Sequence, residues 1–221
     1  KYNYKLGVIG AGNMAKAIIN GIIDKKVLPA DEIGYFDPYV ETIPKGIISF
    51  ENNSSLVEGC RYIILAVKPN MVDQVLNEIS KQIDAKPLGS IAAGITTEHI
   101  SSIVPKAHIL RIMPNTCANI GKSYTCLSKD NSLTEEEFNV FKSIFSAVGK
   151  VEIVREDYFN VCAAVCSCGV AFGHMLIESM ADGGVLCGMN KEKSIEMASY
   201  AIEGACSMII ASQQSPTALK D

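Results

Sequence analysis

The chain has no basic stripe and no interleaving of basic with aromatic residues; its lysines and arginines are scattered singly and the formal net charge is −4. Nucleic acid is bound by concentrated positive charge, so this pattern argues against a nucleic-acid partner and favours small molecules. No charged n-region, apolar h-region and cleavage site open the sequence, which argues against secretion and for the cytoplasm. That it opens at Lys1 rather than at a methionine points to a trimmed sequence. Cys-x2-Cys pairs are missing and His99, His108 and His174 are dispersed, so Cys162, Cys166 and Cys168 do not read as a zinc site and no metal is expected. Nor do the eight cysteines read as a disulfide framework, because a chain of 221 residues with 48% hydrophobic content can build a core without staples. Free, mostly buried thiols are expected. Internal repeats and low-complexity segments are absent.

What is present, up to about Val154, is alternation. Lys5 to Ile9, Ile33 to Phe36, Tyr62 to Val67, Leu88 to Ala92 and His108 to Met113 read as strands, and the unbroken apolar run YIILAV is typical of a strand buried on both faces. Asn13 to Lys25 and Met71 to Ile83 read as helices, and Thr134 with Glu137 forms a capping box before another, which Gly149 can end. This grammar describes a parallel sheet with right-handed crossovers, an α/β fold. From Tyr158 onward only helix is expected, broken around Gly183, Gly184 and Gly188 and again near Pro216. The domain boundary is therefore placed at Val154, giving an α/β domain over 1–154 and a helical domain over 155–221.

Tyr158 to Ile177 contains no Asp, Glu, Lys or Arg, over about 20 residues, roughly a membrane-spanning length. Its Asn160, Ser167, Gly169, Gly173 and His174, with no flanking basic cluster, argue against a span. A helix apolar all round is more simply buried, and a second subunit supplies the cover.

Gly10-Ala11-Gly12-Asn13-Met14-Ala15 fits G-x-G-x-x-G/A between a strand and a helix. Gly10 permits the tight turn, Gly12 admits a pyrophosphate against backbone N–H groups, and Ala15 allows close helix-to-strand packing. A dinucleotide is the expected ligand. Asp37 follows the second strand, where a carboxylate can accept from a ribose 2′-hydroxyl and disfavour a 2′-phosphate; alternatively, Asp37-Pro38 only starts a turn. With Lys45 the only cation nearby, the local chemistry leans to NAD. Ala66-Val67-Lys68-Pro69, Ala92-Ala93-Gly94 and Met113-Pro114-Asn115-Thr116 end three further strands on the same edge, and together describe one crevice.

GVIGAGNMAKAI, LAVKPNMVDQVL, SIAAGIT and RIMPNT, in that order and spacing, resemble pyrroline-5-carboxylate reductase, and ESMADGGVLCGM with SPTALKD resembles that family's helical dimerisation domain. The resemblance implies a Rossmann domain followed by helices that interlock in a homodimer or a dimer-based higher oligomer, with no membrane partner. It implies the last step of proline biosynthesis, hydride transfer from NADPH, with NADH possible, to the imine carbon of 1-pyrroline-5-carboxylate. It assigns Gly10, Gly12, Asn13, Met14, Ala15, Asn53, Ala66, Val67, Lys68, Pro69 and Ala93 to the cofactor, and sets Met113, Asn115, Ser167 and Gly169 beside the substrate. Where the family has Ser-Gly-Ser-Gly-Pro-Ala, this chain has Cys166-Ser167-Cys168-Gly169-Val170-Ala171, so two hydroxyls become weaker thiol donors. The family's Pro-Gly-Gly-Thr-Thr loop, which supplies a hydroxyl near the imine nitrogen, would follow Asp221, leaving no catalytic residue assignable here. A hydroxyacid dehydrogenase would want a lysine in Tyr158 to Ile177, which has none. A non-catalytic dinucleotide-binding regulator is the rival from another class.

Overall fold

The computed structural model describes residues 3–40 and 44–220; Lys1 and the end of the chain at Asp221 lie outside the described residues. Strands β1 (Tyr4–Ile9), β2 (Ile33–Phe36), β3 (Ile48–Ser49), β4 (Cys60–Leu65), β5 (Pro87–Ser90), β6 (His108–Met113), β7 (Ser123–Ser128) and β8 (Gly149–Val154) form one sheet, ordered β3-β2-β1-β4-β5-β6-β7-β8. Helices α1 (Asn13–Asp24), α2 (Asn53–Gly59), α3 (Val72–Ile79), α4 (Thr97–Ile103) and α5 (Glu135–Ser146) cover it.

The strands β1 and β4 read as apolar runs because both faces are covered. Leu6 and Val8 of β1 enter a core with Ile18, Ile22, Phe141 and Phe145 of α1 and α5, while Ile9 and Ile63 enter a second core with Val72, Leu76 and Ile79 of α3. Tyr62 of β4 meets Phe141 edge to face, with ring centroids 5.8 Å apart. The Thr134 side chain accepts from Glu137 N–H and the Glu137 carboxylate accepts from Thr134 N–H, so the expected capping box starts α5.

One expectation fails in the sheet. Strand β7 runs antiparallel to β6, whereas the other pairs among the described residues are parallel. The connection 114–122 is shorter than the stretch of about a dozen residues that a parallel crossover needs, so the chain has to turn back. Gly149 does not stop α5, which is capped at Ala147; it opens β8, where a Cβ would fall 2.0 Å from Ser123 O. Helices α2 and α4 were not visible in the sequence, being only seven residues each, too short to display a helical period.

By its contacts the chain divides into units Lys1–Ser167 and Cys168–Asp221. The strands end at Val154, but the following residues stay with the first unit. Phe159, in α6 (Phe159–Cys162), is buried there, and Asn115 Nδ2 donates to Cys166 O at 2.9 Å within a π-helical turn, Ala163–Cys168.

The second unit is a hairpin of α7 (Gly169–Leu186) and α8 (Lys191–Ser212), followed by α9 (Pro216–Lys220). Of the three glycines where a break is expected, Gly183 and Gly184 lie within α7. Gly184 is a packing glycine, since a Cβ there would lie 2.6 Å from Ser194 Oγ on α8. The expected break falls at the third, Gly188, whose φ is +92°. Among the described residues of this unit, only Ala181, Ser194 and Ala198 are buried, and Phe172, Met175, Leu176, Leu186, Tyr200 and Ile210 are exposed. The eight cysteines are free, but only Cys60 and Cys126 are buried. Cys168, Cys187 and Cys206 are exposed, because they lie on or beside helices with nothing over their outer faces in one chain. The helical run Glu156–Leu186 is long and apolar enough, by length and composition, to cross a membrane.

Candidate functional site

In a sheet ordered this way, β1 stands between β2 and β4, and the chain leaves β1 and β4 for opposite flanks, which opens a crevice at their carboxyl ends. A cavity of about 650 Å³ lies there. Gly10, Gly12, Asp37, Asn53, Ala66, Val67 and Lys68 of the sequence-derived set line it.

Each takes its place for a local reason. Gly10 has φ +90°, and a Cβ on it would lie 2.7 Å from Ala66 O, so only glycine turns the chain out of β1 against the end of β4. Gly12 is the N-cap of α1 with φ −68° and no side-chain capping bond, and a Cβ on it would meet nothing within 4 Å. The first N–H groups of α1 therefore face open space at the positive end of the helix dipole, which suits an anion.

Asp37 does more than line the cavity. Its Oδ2 accepts from Ala11 N–H at 2.7 Å and its Oδ1 from Tyr39 N–H at 2.8 Å, so one carboxylate fastens the glycine turn to the end of β2. Asn53, at the start of α2, is only 7% exposed. Its Nδ2 donates to Glu78 Oε2 at 2.9 Å, while its Oδ1 is buried with no hydrogen-bond partner. A buried acceptor left open at the wall of a cavity is the kind of group a ligand hydroxyl satisfies. The glycine cradle, the uncapped helix end and this open acceptor together fit a dinucleotide.

The remaining assigned residues fall outside that cavity. Ala15 is buried in the core under α1 with Met14 packed alongside, the close-packing role the motif gives its last position. Asn13 is exposed on the first turn of α1, Pro69 begins a 3-10 turn after β4, and Ala93 is exposed past the end of β5. Met113 ends β6 half-buried. Asn115 is buried with its amide committed: Nδ2 to Cys166 O, and Oδ1 accepting from Cys117 N–H at 3.1 Å. It braces the loop that it was expected to project toward substrate. Ser167 is half-buried at the end of the π-helical turn, and Gly169 opens α7 in the other unit. Among the described residues, no group of three His, Cys, Asp or Glu side chains could hold a metal ion.

Tyr39, Gln74 and Glu78 also line the cavity and were not found from sequence. Gln74 and Glu78 are four apart on α3, on the side away from its buried Val72, Val75, Leu76 and Ile79. That polar pair, set against a strict apolar stripe, was the available signal.

Residues 156–221 match the family described as pyrroline-5-carboxylate reductase dimerisation, and residues 5–94 match NADP oxidoreductase, coenzyme F420-dependent. Pyrroline-5-carboxylate reductase of Glycine max is 31% identical over 99% of this chain and 82% of its own length. The Escherichia coli K12 protein of the same name is 32% identical over 98% of this chain and 83% of its own length. The crystal structure of Plasmodium falciparum pyrroline carboxylate reductase with NADP bound superposes with a TM-score of 0.92, at 28% identity over 99% of this chain and 83% of that one.

Proposed function

The chain belongs to the pyrroline-5-carboxylate reductase family, NAD(P)H-dependent oxidoreductases acting on a cyclic imine, and we propose how its residues divide that work. The reaction is reduction of 1-pyrroline-5-carboxylate to L-proline, and we place it as the last step of proline biosynthesis. The observation that carries the reading is a likeness running through both parts of the chain, over 99% of its length.

Gly10 and Gly12 bring the pyrophosphate of NADPH, or of NADH, against the first N–H groups of α1. Asp37 holds that turn in shape, Asn53 Oδ1 accepts from a sugar hydroxyl, and Lys68, exposed at the rim, balances phosphate charge. When bound, the reduced nicotinamide supplies the hydride. A protonated ring imine is already electrophilic, so what the chain adds is mainly orientation. By resemblance to the family, Met113, the loop braced by Asn115, and Ser167 are assigned to the imine substrate.

We propose 1–154 as the dinucleotide-binding domain and 155–221 as a dimerisation domain, with a second copy covering Phe172, Met175 and Leu176. The eight free thiols suit a reducing compartment, the cytoplasm. The test is oxidation of NADPH and NADH by the full-length protein, followed by absorbance, with pyrroline-5-carboxylate as substrate. Substrate-dependent oxidation with L-proline as product is expected; dinucleotide binding without turnover would make the protein a regulator instead.

A further inference from the structure

Arg111 is the one charged residue in β6, HILRIM, and it is 7% exposed. A buried guanidinium needs a partner, and Arg111 has two: Nη1 donates to Glu156 Oε1 at 3.1 Å, and the guanidinium lies 4.6 Å from the centroid of the Phe159 ring. Glu156 is shared further. Its Oε1 also accepts from Thr97 N–H at 2.9 Å, and its Oε2 accepts from the Thr97 hydroxyl. Its own N–H donates to Asp130 Oδ2 at 3.0 Å, which holds the backbone from which the carboxylate reaches.

The partners come from distant parts of the sequence but from one edge of the sheet. Thr97 opens α4, three residues after Gly94, where the chain leaves β5 with φ +77°. Arg111 lies two residues before Met113, the end of β6. One carboxylate thus joins the segment that follows Ala93, assigned above to the cofactor, to the segment that carries Met113 and Asn115, assigned to the substrate. The same stretch of chain ties down the second of them again, through Cys166 O and Asn115. A cleft of about 500 Å³ lies beside the clamp, lined by Gly94, Thr96, Thr97, Arg111, Glu156 and Asn160. Backbone pairing of Ser90 with Arg111 fixes the strands themselves; past Ser90, the Glu156 carboxylate is the side-chain link that ties Thr97 to Arg111.

A buried ion pair is a costly way to gain stability, since well-packed apolar residues in its place are often as stable or more so. We infer that Glu156 is a positioning residue for hydride transfer: it sets the distance between the Gly94–Thr97 segment and the Arg111–Asn115 segment, and so the seat of the nicotinamide relative to the imine. This rests on the reductase reading. The pyrophosphate end of the crevice, at Gly10 to Ala15, is not part of the clamp.

The experiment measures kcat, KM for the imine, dinucleotide Kd and melting temperature for full-length wild type, Glu156→Ala, Glu156→Gln and the double variant Arg111→Met/Glu156→Leu. Misplacement of reacting groups by about 1 Å costs on the order of 100-fold, so Glu156→Ala should lose about 10- to 100-fold in kcat with dinucleotide Kd changed by less than about twofold. Glu156→Gln keeps an acceptor for Thr97 and should fall between it and wild type. The double variant is the deciding arm: its melting temperature should return toward wild type while kcat stays low. Recovery of kcat together with melting temperature would mean the pair is only structural and would overturn the inference, as would wild-type kcat in folded Glu156→Ala. Failure of the wild type to reduce the imine would instead sink the reductase reading, and the inference with it.

Discussion

The carboxylate of Asp37 and the backbone N–H of Ala11 are 2.7 Å apart, so the glycine turn after β1 is pinned by the acidic residue that ends β2. The second oxygen is occupied by Tyr39 N–H. Asp37 therefore builds the turn, and its charge also faces any group that arrives at the cavity beside it. Asp37→Asn keeps one acceptor and removes the charge. Partly exposed charges interact by up to about 1 kcal/mol, roughly fivefold in an equilibrium. The ratio of NADPH to NADH affinity should rise by about that factor. Titration of both dinucleotides against wild type and variant measures it, and an unchanged ratio would confine Asp37 to its backbone role.

The two glycines of the turn should fail in different ways. Gly12 has ordinary φ and open space where a Cβ would go, so Gly12→Val should melt near wild type while dinucleotide binding is lost. At Gly10 a Cβ meets Ala66 O in a backbone region that costs an L-residue about 1–2 kcal/mol before the clash is counted. Gly10→Ala should lower the melting temperature as well as the affinity. Calorimetry paired with binding isotherms separates the two cases.

A monomer would leave Phe172, Met175 and Leu176 in water, an apolar patch of the kind that marks an interface. Native protein should scatter light as a dimer or a multiple of one at micromolar concentration. Phe172→Asp would place a carboxylate in that contact, unpaired, at about 3–5 kcal/mol by analogy with broken buried pairs, enough to dissociate it. A stable native monomer would contradict the proposed assembly.

Stability should also fall on the acid side through Glu137. Burial alone would push its carboxyl up, but bonds from Thr134 N–H, the His108 imidazole and the Thr134 hydroxyl outweigh this and hold it below the usual range. A carboxyl lowered in the folded state stabilises above its unfolded value, about 4.3, and that contribution is lost as pH falls through the lower folded value. Melting temperatures of wild type and Glu137→Gln should differ near neutrality and converge below about pH 4. A constant difference across that window would place the effect of Glu137 in uncharged contacts.

The glycine turn was legible because its requirements are local: a positive φ at one residue, an exposed helix end three residues on, an apolar strand before. The capping box at Thr134 was legible for the same reason. Asp37 was half legible, since its place after β2 suggested a ribose but not that backbone N–H groups would occupy both oxygens. Asn115 was assigned to the substrate through the resemblance of RIMPNT, which carried no sign that its amide is used on Cys166 and Cys117. Glu156 gave no signal, because Thr97 and Arg111 are 59 and 45 residues away in sequence and only the closed sheet brings them together. The reversal of β7 was missed because Ser123–Ser128 alternates no differently from a parallel strand; only the shortness of the connection before it carried the information.

That reversal shapes the rim of the sheet. Met113, the last residue of β6, pairs with Cys126, so Ser123, Tyr124 and Thr125 run on past the edge where the parallel strands stop. Strand β8 keeps pace with them, Gly149 opposite Ser123 through Val154 opposite Ser128. Three residues of strand amount to roughly 10 Å of parapet. The buried hydroxyls of Ser123 and Thr125, 3.0 Å apart, bond to each other within it. On the opposite flank, the sheet ends in the two-residue β3 and has no such height. The carboxyl edge of the sheet is thus a low doorstep at one end and a wall at the other.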